Sequence, residues 1–291
     1  MKWEGEERSE NVEDRRGLNA PALAMGGGGL TVVIMIAAYF LGIDPNQAKQ
    51  VAQVIGGGQQ QAQQDDGRRG GQDDRTRQFA ETVLKLTENV WTEEFQKLGK
   101  SYPKPKFVLF TRQIDSGCGT APASVGPFYC PADQKLYLDP SFFDELQDKL
   151  GGSKGEFSQA YVIAHEVGHH VQNLLGYSAR VDAKRKTGQE NDYSVRLELQ
   201  ADYLAGVWAN HARKKKPDLV DNKDIESALT TAKSIGDDRL QKRSRGWTSP
   251  ESYTHGTSDQ RIRCFKKGLE TGDFSKAALD RFFEVAKSGD L

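Results

Sequence analysis

HEVGHH, from His165 to His170, is the stretch of this 291-residue chain that narrows the choice of fold most. On an α-helix, residues four apart lie about 40° from each other around the axis, so His165 and His169 share a face. Two imidazoles arranged in this way can bind one metal ion, and Glu166 lies beside them as a candidate general base. A surface helix with solvated histidines is the alternative. Apolar residues at helical spacing from 158 to 177 favour a helix with one face in the core and the other open to a cleft.

A second helical segment, at 196–209, predicts the third metal ligand. Glu198 and Asp202 are four apart and share a helix face, and apolar residues flank both of them. A charged pair on a solvated face is the alternative, but carboxylates in so apolar a segment need a partner because burying a bare charge is costly. We expect Glu198 to join His165 and His169 as a zinc ligand, leaving the fourth position to water. We expect Asp202 to accept the remaining ring N–H of a ligand histidine, with His165 as the first candidate.

These motifs resemble a known family when they are taken together with two others, SGCGTAPASVGPFYCPADQKLYLD (116–139) and NVEDRRG (11–17). The combination is similar to the YpfJ-type neutral zinc metallopeptidases over almost the whole chain. More distantly, the two helices and THGTSDQRI (254–262) are similar to the HtpX-type membrane proteases. The resemblance implies a zincin-like fold of the gluzincin kind, one Zn²⁺ per chain, and a protein or peptide as substrate.

Composition divides the chain into four parts. Residues 20–43 carry no charged side chain and are long enough to cross a bilayer, which predicts one transmembrane helix that anchors the protein. A cleaved signal peptide is the alternative, but no obvious small-x-small cleavage site follows the apolar stretch. Residues 44–75 end in a run of Gly, Gln, Ala, Asp and Arg, which predicts a flexible linker. The other parts are a short N-terminus at 1–19 and a zinc metallopeptidase domain at 76–291.

Charges and cysteines predict the compartment. Basic residues are concentrated before the apolar stretch, so the positive-inside rule predicts a single-pass cell-membrane protein with a cytoplasmic N-terminus and an exported catalytic domain, periplasmic or extracellular. Cys118 and Cys130 are expected to form a disulfide, which agrees with export, and Cys264 is left as a buried free thiol. A metal knuckle at Cys118 and Cys130 would have the wrong spacing. The net charge of −1 and the absence of a basic stripe argue against nucleic acid as a partner.

Apolar patterning predicts an α+β fold, with a small sheet and a mainly helical remainder. KFVLFT (106–111) and KLYLD (135–139) read as strands, because prolines cluster around them and their apolar runs are short. Helical periodicity predicts helices at 77–98, 141–150, 158–177, 192–213, 222–242, 259–269 and 275–287. This order matches the zincin plan, in which an edge strand beside the metal helix pairs with an extended substrate. KLYLD is the predicted edge strand, and it would bind a peptide by β-augmentation.

The function predicted from these features is that of a membrane-anchored, zinc-dependent endopeptidase. Glu166 would take a proton from the attacking water and pass it to the leaving nitrogen. His255 lies on a loop before a helix capped by Thr257 or Ser258, where it would either donate a hydrogen bond to the oxyanion or merely close the turn. His170 points away from the ligands and reads as a packing or surface residue. The alternative function is that of a non-proteolytic binding protein of the cell envelope built on a zincin scaffold.

Overall fold

The structure is a computed structural model that describes residues 1–17, 74–184 and 187–291. Its strands are β1 (Val12–Asp14), β2 (Lys106–Leu109), β3 (Gln113–Ser116), β4 (Gly119–Pro122), β5 (Phe128–Cys130) and β6 (Lys135–Leu138). Its helices are α1 (Arg75–Lys97), α2 (Ser141–Asp148), α3 (Glu156–Leu175), α4 (Tyr177–Asp182), α5 (Glu190–Lys215), α6 (Asn222–Ser234), α7 (Asp237–Arg245), α8 (Ser258–Thr271) and α9 (Lys276–Glu284). A small sheet with many helices confirms the α+β class.

The main sheet has four strands in the order β1-β2-β6-β5. β1, β2 and β6 are parallel, whereas β5 runs antiparallel to β6 and packs against α3, the helix that carries HEVGHH and is called the metal helix below. The prediction that KLYLD forms the edge strand is therefore wrong, because β6 lies between β2 and β5. The edge beside α3 is β5. Its three residues, FYC, are too few to show the alternation by which a strand is recognised in a sequence.

Residues 1–17 belong to the same folded unit as the helices. β1 pairs in parallel with β2, from Val12 opposite Phe107 onward. Trp3 is buried, and its indole N–H donates to Glu156 at 2.9 Å. The Ser9 hydroxyl donates to the buried Glu88 at 2.7 Å. The sequence-based division, which separated 1–19 from a domain at 76–291, therefore differs from the structure, in which the first residues supply a strand and part of the core.

The predicted anchor at 20–43 and all of the linker at 44–75 except its last two residues lie outside the described residues. Arg16 lies near the end of the first described range and Asp74 begins the second. The two side chains form an ion pair at 3.3 Å. Within the described ranges, no helix is long and apolar enough to cross a membrane. The anchor stays a prediction.

The helices that carry the site are packed in close backbone contact. α3 lies against α1, α5 and α6, and α5 also packs along α8. A Cβ atom at Gly268 on α8 would lie 2.0 Å from the carbonyl oxygen of Tyr203, and one at Gly206 on α5 would lie 2.1 Å from that of Phe265. Only glycine allows helices to approach so closely. This contact holds the second half of α8 against α5, just beyond the part of α5 that carries Glu198 and Asp202.

The predicted helix at 222–242 is wrong in one respect, since it is two helices, α6 and α7, separated at Ile235 and Gly236. Gly236 is extended, and a Cβ atom there would lie 2.4 Å from the backbone nitrogen of Ser258. The chain therefore turns where it meets the start of α8, a tertiary contact that periodicity does not reveal. The turn also brings Asp237 to the loop that carries His255.

Candidate metal centre

Three side chains from two helices converge on one point. On α3, His165 and His169 lie one turn apart with ring centroids 4.8 Å from each other. Glu198 on α5 faces both, with 3.2 Å between its Oε2 and His165 Nε2 and 3.4 Å between its Oε1 and His169 Nε2. One ligand atom from each residue lies within 4.8 Å of the others. The structure thus brings together the three residues that the sequence predicted as ligands.

This set of donors fits zinc. Two imidazole nitrogens and one carboxylate oxygen are a ligand set of catalytic zinc sites, and they leave the fourth tetrahedral position open. Burial by itself would raise the pKa of Glu198, but the charge of His169 and hydrogen bonds from both histidines hold that pKa well below its usual range. Glu198 is therefore ionised near neutral pH, as a ligand carboxylate must be.

Glu166 stands next to the ligands on α3 and is half-buried. Burial raises the pKa of its carboxyl group, while the charges of His169 and His165 oppose that rise. A carboxylate in such surroundings holds a proton more readily than one in water, which suits a group that must accept a proton and then release it.

Asp202 is fully buried and holds His165 in place. Its Oδ1 accepts from His165 Nδ1 at 2.9 Å and from the Tyr161 hydroxyl at 2.5 Å, and its Oδ2 accepts from Arg261 Nε at 2.8 Å. With Nδ1 bound to Asp202, His165 presents Nε2 to Glu198 and the metal position. The sequence predicted the contact between Asp202 and His165. It did not predict the hydrogen bond from Tyr161, because Tyr161 looks like an ordinary core residue of the helix in the sequence.

The second ligand histidine has a partner that the sequence analysis missed. His169 Nδ1 donates to Gln172 Oε1 at 2.8 Å. The amide of Gln172 in turn donates to the Leu197 carbonyl at 2.7 Å and to Gln200 at 3.0 Å. Gln172 therefore joins α3 to α5 and orients His169. Its position three residues after His169, on the same helix face, is the signal that would have found it.

His255 lies on the loop before α8 and is fixed by Asp237, which was not predicted. Oδ2 of Asp237 accepts from the backbone N–H groups of His255 at 2.6 Å and of its neighbours Thr254 and Gly256 at 2.8 and 3.0 Å. Oδ1 of Asp237 faces His255 Nδ1 at 3.2 Å. The charge of His255 also helps to lower the pKa of Glu198, after the larger effects of the His169 charge and of the hydrogen bonds from His165 and His169.

His170 is a packing residue and not a surface residue. Its ring is fully buried and lies between the Tyr129 hydroxyl, 3.1 Å from Nδ1, and the Pro103 carbonyl, 2.7 Å from Nε2. Burial lowers the pKa of His170 to about 4, so the ring is neutral near pH 7. It joins the metal helix to the edge strand, since Tyr129 is the middle residue of β5.

Cys118 and Cys130 form a disulfide, as predicted. Cys118 lies in the turn between β3 and β4, and Cys130 ends β5, so the bond ties this hairpin to the edge strand. Cys264 on α8 is a buried free thiol, and burial raises its pKa to about 12.

Comparison with known proteins assigns the chain to a family. The family model described as "Putative neutral zinc metallopeptidase" matches residues 1–281. The chain is a member of this neutral zinc metallopeptidase family. Among similar proteins, YpfJ of Escherichia coli (strain K12) is 41% identical over 287 residues, which cover 94% of this chain and 96% of YpfJ. Rv2575 of Mycobacterium tuberculosis is 42% identical over 204 residues, which cover 67% of this chain and 69% of Rv2575. No solved structure shows a significant match to this neutral zinc metallopeptidase.

Proposed function

We propose that this protein is a zinc-dependent endopeptidase in which Glu166 is the general base. The observation that carries the proposal is the convergence of His165, His169 and Glu198 on one point, with Glu166 beside His165 on the metal helix. Membership of a zinc metallopeptidase family supports the same chemistry at the level of the family. A scaffold that only binds partners has no need of the base, which this chain retains beside a complete ligand set.

The proposed mechanism assigns roles to zinc and to three side chains of the site. Zinc held by His165, His169 and Glu198 would supply Lewis acidity, which would polarise the scissile carbonyl and lower the pKa of water towards neutral pH. Glu166 accepts that proton on its carboxylate and donates it to the leaving nitrogen. Asp202 and Gln172 keep the ring N–H of each ligand histidine engaged, so that the opposite ring nitrogens face the metal position.

We assign substrate binding to the outer edge of β5 (Phe128–Cys130). β5 is the edge strand that packs against α3, and an edge strand can pair with an extended peptide through backbone hydrogen bonds. This mode of binding depends little on side chains, which suits an enzyme that cleaves within polypeptides. The side chains that line this edge would then select among substrates.

His255 is proposed to stabilise the oxyanion that forms when water attacks the carbonyl. Support comes from its electrostatic coupling to Glu198 and from Asp237, which fixes both its backbone and its ring. With Nδ1 held by Asp237, the Nε2–H group is the donor available to a substrate.

We further propose that the enzyme works in an oxidising, exported compartment. The disulfide between Cys118 and the buried Cys130 supports this location, because structural disulfides persist outside the reducing cytosol. Residues 20–43 remain the proposed membrane contact. A single pass at 20–43 that leaves the N-terminus in the cytoplasm would separate β1 from β2, so we propose that residues 1–17 and the catalytic helices lie on the same side of the membrane.

Metal dependence of cleavage by the full chain tests the proposed function. Purified protein should contain one zinc ion per chain and cleave casein, and a chelator should remove both the metal and the cleavage. Adding zinc to the depleted protein should restore cleavage. Glu198→Ala protein should bind no zinc at this site and should not cleave. Stoichiometric zinc without cleavage of casein or of a peptide library would instead favour the non-proteolytic scaffold.

A further inference from the structure

We propose that Tyr129, His170 and Asn173 form a clamp that sets the position of the edge strand β5 relative to the metal helix α3. We call these three residues the strand clamp. It would position the substrate backbone against the metal centre, so this inference rests on the proposed function. None of its members is a metal ligand or the general base.

The hydrogen bonds of the strand clamp run in one consistent direction. His170 Nε2–H donates to the Pro103 carbonyl at 2.7 Å, which leaves Nδ1 as an acceptor. The Tyr129 hydroxyl donates to that Nδ1 at 3.1 Å. The same hydroxyl oxygen accepts from Asn173 Nδ2 at 3.0 Å. The Tyr129 hydroxyl on β5 is thus hydrogen-bonded to two successive turns of α3, to one as a donor and to the other as an acceptor.

The ring at the centre of the clamp cannot move without disturbing the core. His170 is fully buried, and the rings of Tyr102 and Tyr129 meet it edge to face at 5.6 and 5.4 Å between centroids. His170 also directly follows the ligand His169 on α3. The clamp therefore fixes the position of β5 relative to the turn of α3 that carries the predicted metal ligands.

The opposite face of β5 is fixed independently. Phe128 and Cys130 point away from Tyr129, because successive side chains of a strand alternate. Phe128 stacks on Tyr137 at 4.9 Å between centroids, and Cys130 is bound to Cys118. A three-residue edge strand has few ladder hydrogen bonds of its own, so these side-chain contacts determine where it lies. Among the described residues, the side-chain hydrogen bonds that β5 makes to the metal helix are those of the strand clamp.

The clamp has a specific kinetic consequence. Loosening it leaves the ligands and Glu166 in place on their helices, but it lets β5 move relative to them. A peptide that pairs with β5 then binds less tightly, so KM should rise more than kcat falls. A purely structural role would instead lower the melting temperature or the zinc content.

Tyr129→Phe protein tests the strand clamp, because it removes only the hydroxyl. Tyr177→Phe protein is the matched control, since that hydroxyl donates to Asp280 at 2.9 Å, away from β5 and the metal ligands. Both variants should keep one zinc per chain. Tyr129→Phe should raise KM for a casein-derived peptide about tenfold with kcat within about twofold, as expected for the loss of two hydrogen bonds that each contribute modestly. Tyr177→Phe should leave KM unchanged.

Amide hydrogen exchange at Phe128–Cys130 gives a readout that does not need activity. It should be about tenfold faster in Tyr129→Phe than in the unaltered protein, and unchanged in Tyr177→Phe. Unaltered exchange in Tyr129→Phe would overturn the clamp, and so would a loss of zinc that accounts for all of the lost activity. If the unaltered protein cleaves nothing, the proposed function fails, while the exchange rates still decide whether the clamp holds β5.

Discussion

At the scale of single residues, the site depends on side chains that touch no metal. Asp202 neutralises the buried Arg261, engages Tyr161 and orients His165, so one carboxylate serves both the core and the metal centre. The sequence could predict His165 and His169 as ligands because their spacing within one helix fixes their geometry. It could predict Glu198 because a carboxylate in so apolar a helix needs a partner. It could not predict Tyr161 or Asp237, since their partners are distant in the chain and meet only through the fold.

Asp202→Asn should weaken zinc binding by roughly 10- to 100-fold. The amide still fills the space, but it no longer carries the charge that holds His165 and balances Arg261, so the free energy of unfolding should also fall. Competition with a chelating dye would measure the affinity. Asp192→Asn is the control, because Asp192 pairs with Arg196 on the same helix and should leave zinc affinity unchanged. Zinc binding as tight as in the unaltered protein would remove Asp202 from the support of the metal.

His255→Ala should keep its zinc and lose about a hundredfold or more in kcat, because it removes an oxyanion donor. Asp237→Asn should also reduce kcat, since it weakens the hold on the His255 ring and loop. His211→Ala serves as the control, as His211 contacts the Gly272 carbonyl at 2.9 Å. Steady-state kinetics at equal zinc content would measure the effect. Normal turnover by the His255→Ala protein would indicate that His255 only closes the turn.

At the scale of elements, the sequence predicted long periodic helices better than short strands. The helix that carries the ligands was expected at 158–177 and is α3, and Gly176 ends it in a left-handed conformation. β1 and β5 have three residues each, and their place in the sheet depends on partners far along the chain. That is why the edge strand was assigned to β6. The disulfide also restrains β5, and the pattern of apolar residues does not reveal this restraint.

The three cysteines should differ in reactivity in a predictable way. At pH 8, Cys264 should resist iodoacetamide in the folded protein, because its thiol is buried and its pKa of about 12 keeps it protonated. Mild reduction should expose Cys118 to the reagent, since its side chain is at the surface. Mass spectrometry before and after reduction would identify the labelled residues. Labelling of Cys118 without reduction would contradict the disulfide.

At the scale of the whole molecule, the first residues and the catalytic helices are parts of one unit. β1 completes the sheet beside β2, and the ion pair between Arg16 and Asp74 brings the ends of the undescribed segment together. A membrane cannot pass between two strands that are hydrogen-bonded to each other. We therefore expect residues 1–17 and the candidate metal centre to lie on the same side of any membrane that the protein contacts.

Labelling of single cysteines from one side of the membrane tests this arrangement. Glu10→Cys and Lys100→Cys introduce thiols at exposed positions, one in the N-terminal segment and one after α1. A membrane-impermeant maleimide added to intact spheroplasts should label both variants to the same extent, and the buried Cys264 should give little background. Labelling of Lys100→Cys from outside, with Glu10→Cys labelled only after lysis, would restore the single-pass topology and require β1 to leave the sheet.

The central claim is that this site hydrolyses peptide bonds with Glu166 as the base, and one substitution isolates it. Glu166→Gln removes the proton acceptor but none of the predicted ligands. Cleavage of casein by zinc-loaded Glu166→Gln protein should be compared with cleavage by unaltered protein of equal zinc content. We expect one zinc per chain in both proteins and a rate at least about a hundredfold lower in the variant. Equal rates at equal zinc content would contradict the claim.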